Sequence, residues 1–245
     1  MFYPTNFKEG IFLKRYKRFF ADIEVGGEII TAHCPNTGSL KSCNVPGSPC
    51  FYSENNDPKR KLKATLEAIK TPHSWVGLHT HKANKIVGEV ILKEHPNYKD
   101  YGQIFSEVKI SDKSRADFVL SKHDTAKPKL KDLEEQDFHI VEVKNVSLVE
   151  NRAALFPDAV TTRGQKHIEE LLNWIKKGKT AELLFLIQRS DFDYFSAAKD
   201  IDPEYAKLLA NAKEQGLKIH AYIVDVEPGG YRVREKEAPI KISHP

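Results

Sequence analysis

No apolar run in these 245 residues approaches the ~20 that a membrane-crossing helix needs, so a helical membrane protein is not expected. The opening stretch, MFYPTNFKEG, has neither the charged leader nor the apolar core of a signal peptide, and a cytoplasmic protein is expected. Cysteine is scarce and odd in number. Cys34, Cys43 and Cys50 argue against a disulfide framework, and without a CxxC pair their nearness to His33 does not make a zinc site. Core or surface thiols are expected instead. There is no tandem repeat and no low-complexity tract, which argues against a solenoid or a long disordered arm.

What remains is a chain of 27.9 kDa with 40% hydrophobic residues, enough for one large or two modest cores. Its net charge of +4 is unevenly placed. Residues 1–75 hold 11 Lys/Arg against 7 Asp/Glu, whereas residues 76–245 hold 27 of each. Within the first segment, FLKRYKRFFADIEV (12–25) interleaves Lys14, Arg15, Lys17 and Arg18 with Phe12, Tyr16, Phe19 and Phe20. Cations for a phosphate backbone beside aromatic faces for bases are what a loosely specific nucleic-acid surface combines. The competing reading is a half-buried strand with a solvated charged face.

The first 75 residues break into short β-runs (FLKRYKRFFADIEV, EIITAHC, SPCFYSE, LKATLEAI) separated by Gly26-Gly27, PNTG, NVPG and NNDPKR. That spacing suits a small barrel, and TPHSWVGLHTH (71–81) is the crossing point to the rest of the chain. A helix is expected over about 82–94, with Ala83, Ile86, Val87, Val90 and Ile91 on one side.

The chemistry concentrates further on. Asp117 lies in the strand-like SRADFVL, and Glu142 and Lys144 lie in FHIVEVKNV. In a strand alternate side chains share a face, so Glu142 and Lys144 project together while Val141 and Val143 enter a core. The polar SKHDTAKPKLKDLEEQD between the runs reads as a hairpin connection. Two carboxylates can hold a hard cation such as Mg2+ or Mn2+ with positions left for phosphate and water, and a lysine beside them can stabilise the charge of a phosphoryl transition state. The alternative is an exposed strand with a solvated Glu–Lys pair.

After Pro157, TTRGQKHIEELLNWIKKGK places Ile168, Leu171, Leu172 and Ile175 on one helical stripe, with Thr161 or Thr162 to cap its start and Gly178 to end it. Gln165 sits at the stripe's margin and Arg163 opposite, so the helix start offers an amide and a cation to a phosphate. His167, two residues past Gln165, could reach a phosphate or a base, but a neutral structural histidine is the expected reading. AELLFLIQR then reads as a buried strand, PEYAKLLANAKEQG as a helix, and KIHAYIVDVE and GGYRVREKEAPIKI as closing strands.

HCPNTGSL (33–40), SRADFVL (114–120), VEVKNVSL (141–148) and FPDAVTTRGQKHIEEL (156–171) resemble the signature segments of the sugar fermentation stimulation protein A (SfsA) family. The resemblance implies an α/β (α+β overall) chain: an OB-like β-barrel over residues 1–80, then a PD-(D/E)XK nuclease-like domain with a mixed sheet over 81–245. It maps that superfamily's two acids to Asp117 and Glu142 and its lysine to Lys144, with Ala116 where the pattern has proline. It implies DNA, or RNA, as the partner; the sequence names no protein partner. A third acid often joins the metal site in such nucleases, and Glu89, Glu94 and Glu107 are the candidates. Two functions follow as expectations: a Mg2+- or Mn2+-dependent phosphodiesterase, with Asp117 and Glu142 as ligands, Lys144 as activator and Gln165 as a positioning group, or a DNA-binding regulator linked to sugar (maltose) metabolism that does not cut.

Overall fold

The computed structural model describes residues 1–242; the last three residues of the expected second domain, 243–245, lie outside the described residues. Strands β1 (Phe2–Pro4), β2 (Lys8–Tyr16), β3 (Phe20–Val25), β4 (Glu28–His33), β5 (Ser48–Glu54), β6 (Ala64–Lys70) and β7 (Trp75–Gly77) come first. β4, β3, β2, β5 and β6 pair in that order, and β6 returns parallel to β4, which closes a five-stranded OB-type barrel. Phe12, Ile23, Leu66 and Ile69 fill it together with all three cysteines, which are free thiols. Burial pushes the Cys43 and Cys50 thiols up to about 12, so both are inert packing groups.

The run 12–25, expected as one strand, is two. The chain reverses at Lys17 and Arg18, whose φ of 48° and 63° lie in the left-handed region, and Tyr16 pairs with Phe20 across the turn.

The second unit begins with α1 (Thr80–Ile86), which continues through a π-helical turn (Val87–Ile91) and a short last segment (Leu92–Glu94). Gly88 lies on the Phe118 ring so closely that an added Cβ would come within 2.7 Å of it, which lets the widened helix sit directly on the sheet. Then come β8 (Gln103–Lys109), β9 (Arg115–Ser121), α2 (Leu130–Glu135), β10 (His139–Val146), β11 (Leu148–Glu150), β12 (Ala153–Phe156), α3 (Thr162–Lys176), β13 (Thr180–Ile187), β14 (Tyr194–Ala197), α4 (Pro203–Glu214), β15 (Lys218–Glu227) and β16 (Gly230–Val233). The main sheet runs β1-β16-β15-β13-β10-β9-β8, parallel at β10/β13 and β13/β15 and antiparallel elsewhere. β11, β12 and β14 form a small second sheet. The connection between β9 and β10 carries the helix α2, where a plain hairpin was expected.

β1 lies within the segment expected to be all barrel, yet it pairs with β16 at the edge of the main sheet. Where the two units meet, the buried Glu67 of β6 accepts Lys82 Nζ at 2.7 Å and Tyr231 Oη at 3.1 Å, and the ammonium lies over the Phe7 and Tyr231 rings. Apolar side chains cover both faces of the main sheet, Val141, Val143, Leu184 and Tyr222 under α1 and Ile140, Leu183 and Phe185 under α3, whose Ile168 packs with them. Among the described residues no helix is long and apolar enough to cross a membrane.

Candidate active site

β9 pairs with β10 only as far as Phe118 opposite Val141. Asp117 stands where the ladder ends, and its side chain takes over from the backbone: Oδ2 accepts the Val143 N–H at 2.7 Å. Its Oδ1 accepts Asn84 Nδ2 from α1 at 2.6 Å. Glu142 and Lys144, two apart on β10, share a face, and Lys144 Nζ donates to Glu142 Oε1 at 2.6 Å. That face is not open. α3 covers it, leaving the Glu142 side chain 7% and the Lys144 side chain 10% exposed.

α3 is set by Thr161, whose hydroxyl accepts the Gly164 N–H at 3.0 Å as an N-cap. One turn apart on the helix, Arg163 and His167 face the carboxylates. His167 Nδ1 hydrogen-bonds Glu142 Oε1 and lies 3.0 Å from Lys144 Nζ, and Arg163 Nε donates to His167 Nε2 at 3.4 Å.

Two cavities meet at this cluster. One of about 510 Å³ is lined by Asn36, Thr37 and Gly38 of the barrel together with Asn84, Lys144 and the Phe156–Asp158 turn. The other, about 1020 Å³, is lined by Glu107, Lys109, Arg115 and Lys166. Asp117, Glu142, Arg163 and His167 border both. Burial, and then the Glu142 charge, push the Asp117 carboxyl up to about 6 against the Val143 amide, Lys144 and Asn84. Burial also works to raise Glu142, but Lys144 and His167 outweigh it and hold that carboxyl below its usual range. The environment therefore sets the two carboxyl groups apart.

The structure brings Asp117, Glu142, Lys144 and Arg163 together. Gln165 does not join them: its Nε2 donates to Asp202 Oδ1 at 2.9 Å, and Asp202 is the N-cap of α4, so the amide ties two helix starts together. Of the third-acid candidates, Glu107 lines the larger cavity, while Glu89 and Glu94 are exposed on the first helix and line neither. The residue of that helix that reaches Asp117 is Asn84, an amide no search for acids would find.

The basic stripe is only partly free. Lys14 pairs with Asp22 at 3.4 Å, Tyr16 Oη donates to Asp22 at 3.1 Å, and Arg15 donates to three backbone carbonyls, leaving Lys17 and Arg18 exposed at the turn. Sequence reasoning missed the barrel loop 36–38 as a wall of the site, and it placed His167 outside the site. The strings HCPNTG and RGQKH hold both, but only tertiary contact shows what they face.

Two family models match this chain, one described as the sugar fermentation stimulation protein RE domain over residues 81–230 and one as the SfsA N-terminal OB domain over residues 13–78. The chain belongs to the SfsA family. A sugar fermentation stimulation protein homolog of Bdellovibrio bacteriovorus is 45% identical over 99% of this chain and 100% of its own, and one from Pelagibacter ubique is 45% identical over 93% and 94%. The fold is shared with Pyrococcus furiosus SfsA, whose structure was solved in complex with Ca2+: TM-score 0.83 at 27% identity, covering 99% of this chain and 98% of that one.

Proposed function

We propose that this SfsA family member is a phosphodiesterase acting on DNA or RNA with Mg2+ or Mn2+, and that Asp117, Glu142 and Lys144 carry the reaction. The observation behind this reading is the shared setting of the three groups: a half-buried and a buried carboxylate and a lysine, at the junction of two polar cavities that Arg163 also lines.

Among the described residues no three His, Cys, Asp or Glu side chains form a ready-made metal cluster. The donor set fits a hard divalent ion all the same, because two carboxylates supply anionic oxygens and leave positions for phosphate and water. The raised Asp117 points the same way, since its charge is opposed by burial and by Glu142. The Pyrococcus relative's Ca2+ complex supports divalent binding in this family. Asp117 and Glu142 would hold the ion, which when bound polarises the phosphoryl oxygen and acidifies a bound water. Lys144 presents its ammonium to the charge that develops on the phosphoryl oxygens. Arg163 orients the strand's phosphate from the start of α3, and Asn84 and the Val143 amide fix Asp117.

The test is cutting of duplex, single-stranded, branched and RNA substrates by purified protein with Mg2+ or Mn2+, compared with Glu142→Gln. A wild type that binds some of these and cuts none sinks the catalytic reading. The second reading, a binding regulator of sugar metabolism, draws on the relatives' names and on the fact that Glu142 is already paired with Lys144 and His167.

A further inference from the structure

The barrel is part of the pocket as well as its neighbour. Arg15 holds two of its segments together: Nε donates to Arg18 O at 2.9 Å, and the guanidinium's two ends donate to Gly38 O at 2.9 Å and Asn36 O at 2.7 Å. The hairpin tip Lys17–Phe19 and the loop 36–38 are thereby adjacent and fixed. The loop is pressed onto the second domain, since a Cβ on Gly38 would lie 2.2 Å from Asp158 Oδ2, and that carboxylate accepts the Ser39 N–H at 2.7 Å.

Each end of this unit carries unused recognition groups. Asn36 is 4% exposed and lines the smaller cavity; its Oδ1 accepts the Gly38 N–H at 2.8 Å, while its Nδ2 has no partner among the described residues. At the tip, Phe19 is 46% exposed with its ring stacked on His33, and the exposed Lys17 and Arg18 just before it have no acidic partner among the described residues. Cations and an aromatic face at the tip are thus joined through Arg15 to the loop whose amide donor lines the cavity with the carboxylates.

We infer that the ligand is an unpaired polynucleotide strand, which stacks a base on Phe19, meets Lys17 and Arg18 with its phosphates and passes Asn36 into the smaller cavity. The inference rests on the phosphodiester reading of the Asp117–Glu142 site and adds the substrate class. A base inside a duplex has both faces covered by its neighbours and cannot stack on a side chain, whereas an unpaired base can. The recess fits the same strand, because the barrel loop and α3 flank a half-buried Asp117 and a buried Glu142 at its floor.

The test is anisotropy of labelled oligonucleotides of about 12 nucleotides, DNA and RNA, against the blunt duplex of the same sequence, with the full chain in EDTA so that nothing is cut. Wild type should favour the single strand of at least one chemistry. Phe19→Ala, at an exposed site that leaves the core intact, should weaken that binding about tenfold and leave the duplex unchanged, as expected for loss of one stacked base. Asn36→Asp keeps the oxygen that caps its own loop and removes the amide donor; it should lose single-strand affinity. Duplex bound as tightly as single strand, no binding of either, or Phe19→Ala matching wild type overturns the inference. Cutting, assayed separately with Mg2+, decides the catalytic reading alone: a protein that prefers unpaired strands through Phe19 and cuts nothing keeps this inference and loses that one.

Discussion

Asp117 accepts the backbone N–H of Val143, the residue between Glu142 and Lys144, at 2.7 Å. One carboxylate therefore closes the gap where β9 and β10 part, and its position is tied to the strand that carries the other two groups. An Asp at 117 has a structural duty beside the chemical one proposed for it, and the two separate under test.

Ion binding is the first. Mg2+ or Mn2+ should raise the melting temperature of the wild type by mass action, and Asp117→Asn should abolish the rise. Equal stabilisation of both proteins would put the ion elsewhere.

The pH dependence without metal comes from the sign of the Asp117 shift. Its folded pKa, about 6, lies above the ordinary 3.8, so the folded state holds a proton that the unfolded state has released, and stability declines as pH rises between those values. Asn cannot ionise. In EDTA the melting temperature of Asp117→Asn, relative to wild type, should therefore climb by a few degrees from about pH 4 to pH 7, with little change above. A flat difference across that window would show that Asp117 titrates normally.

Lys144→Ala should still bind nucleic acid and a divalent ion but cut at least ~100-fold more slowly, because in the proposed chemistry its ammonium acts on charge present only in the transition state. Glu142→Gln should lose cutting and ion together. Lys144→Ala cutting within a few-fold of wild type would remove the lysine from the chemistry.

Charge reversal at Lys17 and Arg18 should lower the salt slope of nucleic-acid binding by up to about two units, while reversal of Lys14, already paired with Asp22, should change it less. Arg15→Ala should act through the loop it holds: a lower melting temperature and a weaker single-strand preference. Equal slope changes at all four positions would mean that the intramolecular pairs give way on binding.

Lys82→Met leaves the Glu67 carboxylate buried without its cation, a change of the kind that costs about 3–5 kcal/mol. A thermal or urea melt should show it as clear destabilisation of the whole chain. A loss under about 1 kcal/mol would mean that Ser53 and Tyr231 suffice to hold the charge.

The strands that carry the site were legible because their apolar runs are long and their turn signals clean: SRADFVL and FHIVEVKNV are β9 and β10 to within a residue or two. The barrel was legible from the spacing of its turns. What failed was inference about partners. A helical wheel put Gln165 at a margin but could not know that the start of α4 packs there with Asp202 waiting. A charge count gave four free cations in the 14–18 run but could not see the carbonyls of residues 18, 36 and 38 gathered on Arg15. Asn84 and the 36–38 loop reach the site from helices and turns whose own pattern reports only their burial, and His167 looked like any histidine on a half-buried helix.

The pairing of Phe2–Pro4 with β16 changes what kind of object the barrel is. In chain order it comes first, but in space the polypeptide leaves the main sheet after β1, builds the barrel and returns through β7 into α1. Both ends of the barrel are thus moored to the same body, and the buried Glu67–Lys82 pair fastens it between those ends. A module joined by one linker can swing; one sewn in at two seams and riveted in the middle cannot. Severing the chain at residue 80 would strip a strand from the larger domain as well as removing the smaller, so a shortened form that is to keep its sheet must carry the first residues with it.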